Sequence, residues 1–207
     1  MNMKKIIKVC GMKYGDNIRD VEALGPDMIG FIFYRKSPRF VSEMPSYLPV
    51  KSKKAGVFVN AGPEEIMSKV DEYRLDYVQL HGSESPSFCD ELCALGLSCD
   101  RIIKAFNISE TFDFSEMDDY EGRCGLFLFD AKSDVSGGSG KRFDWGLLGA
   151  YSLDTPFLLS GGIGPDCVDE LSLYGHPMLA GYDLNSRFEL RPGLKDAISL
   201  KEFIDMI

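Results

Sequence analysis

The sequence contains few of the side chains that bind transition metals. It has two histidines, His81 and His176, and six cysteines, none of which belongs to a CxxC pair. Zinc sites need several such ligands at characteristic spacings. The sequence therefore predicts no metal site.

Long apolar segments are missing as well. Lys4 and Lys5 precede an apolar run that is short and interrupted by Lys8, which fits neither a secretory signal nor a membrane span. The sequence thus predicts a cytoplasmic protein. In a reducing cytoplasm its six cysteines are expected to be free thiols.

Positive charge is also scarce, with 23 basic against 32 acidic residues and a net charge of −9. This balance argues against nucleic acid and anionic membranes as partners. It does not exclude an anionic small molecule, because a local phosphate site needs only a few donors. The length of 207 residues, 44% of them hydrophobic, predicts a single domain over residues 1–207 with a sizeable core.

Short apolar runs recur along the chain at roughly even intervals, and helical signals lie between them. Nearly continuous hydrophobicity is typical of strands covered on both faces. Eight such alternations favour a (β/α)8 TIM barrel, with an open doubly wound sheet as the competing fold. The predicted strands are 6–12, 28–34, 55–60, 77–82, 102–107, 125–132, 157–163 and 178–184.

The helical signals are uneven. Asp16 is predicted to cap the first helix, and Ser199 with Glu202 has the capping-box spacing for the last one. Segments 41–50 and 110–121 are predicted to hold short helices or none, because the first contains two prolines and the second has few aliphatic residues. The other predicted helices begin at Pro63, Pro86 and Pro165.

Polar residues follow the apolar runs, at the end of the barrel where active sites of this fold lie. Cys10 after the first strand and Asp130 after the sixth are a candidate acid–base pair. A carboxyl group in an apolar run is costly to bury without a partner, which favours a function for Asp130. Cys10 is either a small packing residue or a general base. A base would need nearby positive charge to lower the pKa of its thiol. Lys8 shares a strand face with Cys10 but lies one layer lower, so its help is left open.

Two glycine-rich stretches follow predicted strands, the first after the seventh strand and the second after the sixth. Gly161 and Gly162 precede a predicted helix start, where backbone N–H groups suit a phosphate dianion; the alternative is a simple tight turn. The second stretch, 137–141, resembles a mobile loop over a substrate or a plain connection. It is not a nucleotide P-loop, because the GxxxxGK[ST] spacing fails.

Two further polar residues, His81 and Arg39, have both a functional and a structural interpretation, and a third, His176, has only a structural one. His81 is a second proton-transfer group or a hydrogen-bonded wall residue. Arg39, in Ser37-Pro38-Arg39, either clamps a substrate carboxylate or is a solvated surface residue. His176 precedes the last strand, at the opposite end of the barrel, and is expected to be structural.

Taken together, these motifs resemble the phosphoribosylanthranilate isomerase family of tryptophan biosynthesis. The matching segments occur in order and cover nearly the whole chain. Arg187 is a departure, because the family's corresponding loop usually has glycine there. The segments are 8–12, 37–39, 78–82, 129–130, 137–145, 159–163, 183–189 and 192–196.

The resemblance implies a (β/α)8 enzyme that converts N-(5'-phosphoribosyl)anthranilate to 1-(2-carboxyphenylamino)-1-deoxyribulose 5-phosphate. The reaction would be an Amadori rearrangement without metal or organic cofactor, with Asp130 as general acid and Cys10 as general base. The only expected partner is this phosphosugar, bound by a monomer or homodimer. The implied binding residues are Arg39, His81 and Asp183 for the substrate, and Gly161, Gly162, Asn185 and Ser186 for its phosphate.

Two other functional classes stay open. Another phosphosugar barrel is one: a metal-dependent epimerase would need more histidines at strand ends, and a histidine-pathway isomerase would use aspartate in place of Cys10. A non-catalytic phosphate-binding partner of another pathway enzyme is the second. Such a partner would share the fold and the phosphate site but would have no use for Cys10 and Asp130.

Overall fold

Eight parallel strands close into a barrel. The computed structural model describes residues 4–131 and 144–207. Each strand pairs with the next along the chain, and the last pairs with the first, with Lys8 opposite Asp183. The TIM-barrel prediction is confirmed and the open sheet is excluded. The strands are β1 (Ile6–Val9), β2 (Met28–Ile32), β3 (Lys53–Phe58), β4 (Tyr77–Leu80), β5 (Ile102–Ile108), β6 (Leu126–Ala131), β7 (Phe157–Leu159) and β8 (Leu179–Leu184).

Most of the predicted apolar runs extend beyond their strands at the carboxyl end. The run 6–12 continues past the end of β1 at Val9, and the run 157–163 continues past the end of β7 at Leu159. The residues in excess leave the sheet and begin the loops that surround the mouth of the barrel. Cys10 and Ser160 are therefore the first residues after their strands.

Among the described residues the helices are α1 (Gly15–Ala23), α2 (Pro63–Tyr73), α3 (Pro86–Ala94), α4 (Val168–Leu173) and α5 (Ala197–Ile204). Two predicted caps are wrong. Asp16 lies inside the first turn of α1, whose N-cap is Tyr14. Asp196 caps α5 by accepting hydrogen bonds from the backbone N–H groups of Ile198 and Ser199, so Ser199 lies inside the helix. No helix in the part of the chain that the structure describes is long and apolar enough to cross a membrane.

The connections predicted to be weak lack α-helices. Segment 41–50 contains no helix, because each of its prolines removes a backbone donor. Segment 110–121 contains a 3₁₀ helix, Phe114–Tyr120. The helix predicted from Pro165 begins as a 3₁₀ turn, Pro165–Cys167, before α4. A short hairpin of β9 (Glu189–Arg191) and β10 (Leu194–Lys195) follows β8 and leads into α5.

Side chains alternate between the two faces of each strand, so the core has two layers. The larger layer lies between the strands and the helices. The smaller one fills the barrel, and its buried members are Met28, Ile103, Ala105, Leu126, Leu128 and Leu158. Nearer the mouth the inward positions become polar and include Lys8, Gln79 and Asp183, all buried. The barrel interior thus changes from apolar to charged toward its carboxyl end.

One pair of cysteines differs from the expectation of free thiols. Cys93 in α3 and Cys99 are disulfide-bonded, with their Cα atoms 5.9 Å apart. The other four cysteines are thiols, and all four are buried. Five residues lie between the bonded pair along the chain, and the loop after α3 brings the two side chains together.

Candidate active site

Cys10 and Asp130 both lie on the inward face at the carboxyl end of the barrel. Asp130 is two and four residues beyond Leu128 and Leu126, which line the barrel interior. Cys10 continues the inward face of β1 and is held by a 2.9 Å hydrogen bond from its N–H to the carbonyl of Leu184. The thiol is buried, at 3% exposure, whereas the Asp130 side chain is 28% exposed. One candidate is therefore enclosed and the other is open to solvent.

The surroundings of Cys10 leave room for its sulfur and bring a cation to it. A Cβ atom added to Gly30 on β2 would lie 2.8 Å from the Cys10 Sγ atom, so only glycine fits there. The Nζ atom of Lys8 lies 2.7 Å from Asp183 Oδ1, and Lys8 also lowers the pKa of the thiol. Lys8 therefore acts on Cys10.

The expected fall in the thiol pKa does not occur. Burial raises the pKa of Cys10, and Lys8 and Lys195 offset this only in part, while Asp183 adds to it. Burial alone would lower the pKa of Lys8, but Asp183 and Cys10 outweigh it and the net shift is upward. The thiol is therefore protonated at neutral pH, beside a lysine that keeps its charge.

Asp130 has an imidazole beside it. The Nε2 atom of His81 lies 3.4 Å from Asp130 Oδ2. The other ring nitrogen, Nδ1, is 2.7 Å from the amide nitrogen of Gln79. His81 is thus in hydrogen-bond contact with the barrel wall and faces the candidate acid, so both interpretations of it have a structural basis.

Arg39 is not a surface residue. It is buried, and its Nε and terminal nitrogens contact the Glu189 carboxylate at 2.9 and 2.6 Å. Lys195 shares that carboxylate at 2.7 Å and donates at the same distance to Asn185 Oδ1. Burial raises the pKa of Glu189, but Arg39 and Lys195 together lower it by more, so the net shift is downward. Two cations on one carboxylate leave a cluster with excess positive charge, which suits an anionic group.

Lys195 lies near the thiol as well, since it contributes to the field at Cys10. Burial lowers the pKa of Lys195, and Glu189 restores only part of the loss. Asp183 is buried between Lys8 and Ser160, whose hydroxyl lies 3.4 Å from Asp183 Oδ2. The cations near Cys10 are therefore each held by a carboxylate of β8 or of the segment after it.

The glycines predicted to bind phosphate lie in the loop after β7. Gly161 and Gly162 have φ angles of 82° and 79°, which favour glycine. Ser186, after β8, begins a 3₁₀ turn, Ser186–Phe188. Lys195 donates to both the side-chain oxygen and the backbone carbonyl of Asn185, so this residue is tied to the Arg39–Glu189–Lys195 cluster. The tight turn is present, and the phosphate site stays a prediction.

Arg187 connects the two loops. Its guanidinium lies 2.8 Å from Asp166 Oδ1, on the 3₁₀ turn after β7, and its side chain is 39% exposed. The residue in which this chain departs from the resembled family therefore bridges the loops from the outside.

Sequence reasoning assigned no role to Lys195, Glu189 or Gln79. The two-residue period of β4 places Gln79 on the same face as His81, so the sequence pattern could have identified Gln79 as a neighbour of the site. Glu189 and Lys195 lie in two of the segments that carry the family resemblance and are six residues apart, but their shared partner Arg39 comes from a distant segment, so local spacing does not show the cluster. The predicted loop 137–141 lies outside the described residues. Within residues 4–131 and 144–207, no group of three or more His, Cys, Asp or Glu residues is placed to hold a metal ion.

Comparison with known proteins relates the chain to one family. A family model described as N-(5'-phosphoribosyl)anthranilate (PRA) isomerase matches residues 7–206. N-(5'-phosphoribosyl)anthranilate isomerases of Parabacteroides distasonis and Phocaeicola vulgatus are 51% and 46% identical to it. Both alignments cover 98% of this chain, and 93% and 97% of those proteins.

Solved structures show the same likeness. Phosphoribosyl anthranilate isomerase from Thermus thermophilus has a TM-score of 0.81 at 28% identity, over 97% of each chain. The Thermotoga maritima protein has a TM-score of 0.78 at 31% identity, over 98% of each chain. Another such isomerase, in complex with reduced 1-(o-carboxyphenylamino)-1-deoxyribulose 5-phosphate, has a TM-score of 0.75 at 28% identity, over 98% of each chain.

Proposed function

The chain belongs to the N-(5'-phosphoribosyl)anthranilate isomerase family of tryptophan biosynthesis, and we propose that it catalyses an Amadori rearrangement with Asp130 as general acid and Cys10 as general base. The observation that carries the proposal is the placement of these two groups on the inward face at the ends of β1 and β6. Asp130 is partly exposed, which suits an acid that meets the ribose ring oxygen, and Cys10 is buried, which suits a base enclosed beside lysines.

The first step opens the ribose ring. Asp130 gives its proton to the ring oxygen as the bond between that oxygen and C1 breaks. The anthranilate nitrogen supplies its lone pair to C1 and becomes an iminium ion. Asp130 is left as a carboxylate, facing His81 at 3.4 Å.

The second step removes the proton from C2. The iminium ion acidifies this proton, so the thiolate form of Cys10 can remove it. Cys10 takes the proton, the C–H electron pair forms the C1–C2 double bond, and the nitrogen regains its lone pair. The resulting enolamine tautomerises to the ketone product. No electrons leave the substrate, so neither a metal nor an organic cofactor is needed.

Substrate anchoring is proposed to use the surrounding charges. Arg39, oriented by Glu189, holds the anthranilate carboxylate through its planar guanidinium, with Asp183 and His81 bordering the same pocket. Backbone groups of Gly161, Gly162, Asn185 and Ser186 hold the phosphate. We further propose a cytoplasmic protein that acts as a monomer or homodimer on this phosphosugar alone, with neither nucleic acid nor membrane as partner.

The direct test follows the fluorescence of phosphoribosylanthranilate as purified protein consumes it. Consumption is expected, with the same rate after thorough treatment with a strong chelator. Loss of activity after chelation, with recovery on adding a divalent cation, would instead indicate a metal-dependent epimerase. Absence of consumption under all conditions would contradict the proposed function.

The pH dependence should report the buried thiol. Because burial raises the pKa of Cys10 above its ordinary value of 9.0, the thiolate form grows as pH rises, and kcat/KM should still be rising at pH 9.0. Lys8 lowers the thiol pKa and Asp183 raises it less strongly. Replacing both, in Lys8→Met with Asp183→Asn, should therefore move the rising limb to higher pH.

The matched control for that profile is Lys4→Met, which removes an exposed lysine from its pair with Asp27. The control should leave the rising limb where it is in the wild-type enzyme. A limb that does not move in the double variant would show that Lys8 does not tune the base.

Arg187 should contribute little to phosphate binding. Its side chain is partly exposed and paired with Asp166, and backbone donors fixed in turns cost less entropy to use than a long side chain. Arg187→Ala should weaken binding of a reduced product analogue by no more than about 1 kcal/mol. Calorimetry at low and moderate salt measures this, with Asp166→Asn as the control that removes only the partner's charge.

A much larger effect of Arg187→Ala would reverse the assignment. A loss of about 3 kcal/mol in a folded variant would indicate a desolvated arginine–phosphate pair. In that case a side chain would have replaced the backbone site in this loop.

A further inference from the structure

The His81 ring lies between a donor and an acceptor. The amide nitrogen of Gln79, 2.7 Å from Nδ1, can only donate, so Nδ1 must accept. In the neutral ring the proton then sits on Nε2. That nitrogen faces Asp130 Oδ2 at 3.4 Å, and once Asp130 has lost its proton its carboxylate can only accept. The contact with Gln79 and the contact with that carboxylate therefore require the same tautomer.

We infer that Gln79 is a positioning residue, which fixes the His81 tautomer so that Nε2–H points at Asp130. The inference rests on the proposed role of Asp130 as general acid. When Asp130 has given up its proton, the new carboxylate receives a hydrogen bond that was already oriented. The opposite tautomer would direct a nitrogen lone pair at the developing charge. Contacts of this kind are often long without substrate and tighten during the reaction.

The burial of Gln79 supports a role in the reaction rather than in folding. Its side chain is 1% exposed, and its Oε1 atom has no hydrogen-bond partner among the described residues. Buried polar atoms are normally paired, so an apolar residue would suit this position at least as well for stability. The hydrogen bond to His81 is what Gln79 adds.

The backbone around His81 is held independently of Gln79. The Lys104 ammonium donates to the carbonyl of Gly82 at 2.7 Å and to Glu84 at 2.9 Å. Glu84 in turn accepts from the N–H of Gly82 at 2.9 Å, and the N–H of His81 itself donates to the carbonyl of Phe58. A change at Gln79 should therefore alter the ring's tautomer and leave the loop in place.

The kinetic test uses Gln79→Met, which is similar in shape and cannot donate. We expect kcat to fall about tenfold, the lower end for partners that orient histidines at metal sites, with KM nearly unchanged and the melting temperature not lowered. In a His81→Phe background the same substitution should have no further effect. An additive loss, or a Gln79→Met enzyme with wild-type kcat, would overturn the positioning role.

A spectroscopic test does not depend on activity. His81 and His176 are the only histidines, and His176 Nδ1 accepts a hydrogen bond from the N–H of Met178 at 3.1 Å, which makes it an internal reference. Nitrogen-15 NMR at a pH where both rings are neutral should show an unprotonated Nδ1 in both histidines. In Gln79→Met only the His81 signals should shift toward a mixture of tautomers.

Failure of this inference and failure of the proposed function would give different results. A His81 ring with a protonated Nδ1 in the wild-type protein, or unchanged His81 signals in Gln79→Met, would overturn this inference. A wild-type protein that does not consume phosphoribosylanthranilate would overturn the proposed function instead.

Discussion

Asp130→Asn should abolish isomerisation, because an amide has no proton that it can give to the ribose ring oxygen. Asparagine keeps the size of the side chain and removes the acid, so the fold should be unaffected. The measurement is the steady-state consumption of phosphoribosylanthranilate together with the thermal unfolding curve. Asp205→Asn, on the exposed end of the last helix, is the matched control and should retain full activity. Substantial turnover by Asp130→Asn would mean that another group protonates the ring.

Cys10→Ser tests the other half of the mechanism. It should lower kcat by at least about a hundredfold, the low end for loss of a positioned base. Proton removal should also become rate-limiting, so substrate deuterated at C2 of the ribose should show a primary isotope effect in the variant. Cys89→Ser, another buried cysteine, which lies on α3, is the control. Near-native turnover by Cys10→Ser, with chemistry rate-limiting, would make the thiol a packing residue and His81 the next candidate base.

Glu189→Gln should produce the largest loss of stability. Glu189 is the carboxylate shared by Arg39 and Lys195, and all three side chains are buried. Removing the charge leaves two buried cations facing each other, and breaking a buried pair typically costs about 3–5 kcal/mol. Urea unfolding measures the change. The control is Glu72→Gln, which removes a more exposed partner of Lys69 and should change stability by no more than about 1 kcal/mol.

The same variant has a predictable pH signature. The folded-state pKa of Glu189 lies below the ordinary value of 4.5, so its contribution to stability is complete above that value and is lost as the pH falls through the folded-state pKa. The wild-type protein should therefore lose stability faster than Glu189→Gln as the pH falls below 4.5. Parallel stability curves for the two proteins would show that Glu189 is not the charge that holds this cluster.

Local sequence patterns predicted the barrel, and they also predicted the end of it at which the candidate site lies. Apolar runs alternate with helical signals, and both are local properties of short segments. The inward position of Asp130 follows from the two-residue period of β6, and the rule for parallel barrels places it at the mouth with Cys10. The helix ends were less predictable: the capping-box spacing at Ser199 was present, yet Asp196 makes the cap.

Which charged side chains meet depends on the tertiary structure. Lys8 and Asp183 are 175 residues apart in sequence, and Arg39 and Glu189 are 150 apart. Barrel closure makes β1 and β8 neighbours, and no local spacing encodes that contact. Burial is decided in the same way, and it raises the Cys10 pKa although two lysines lie nearby. Local patterns identify candidate reactive residues, but the protonation of each group depends on the solvent and charge that the closed fold leaves around it.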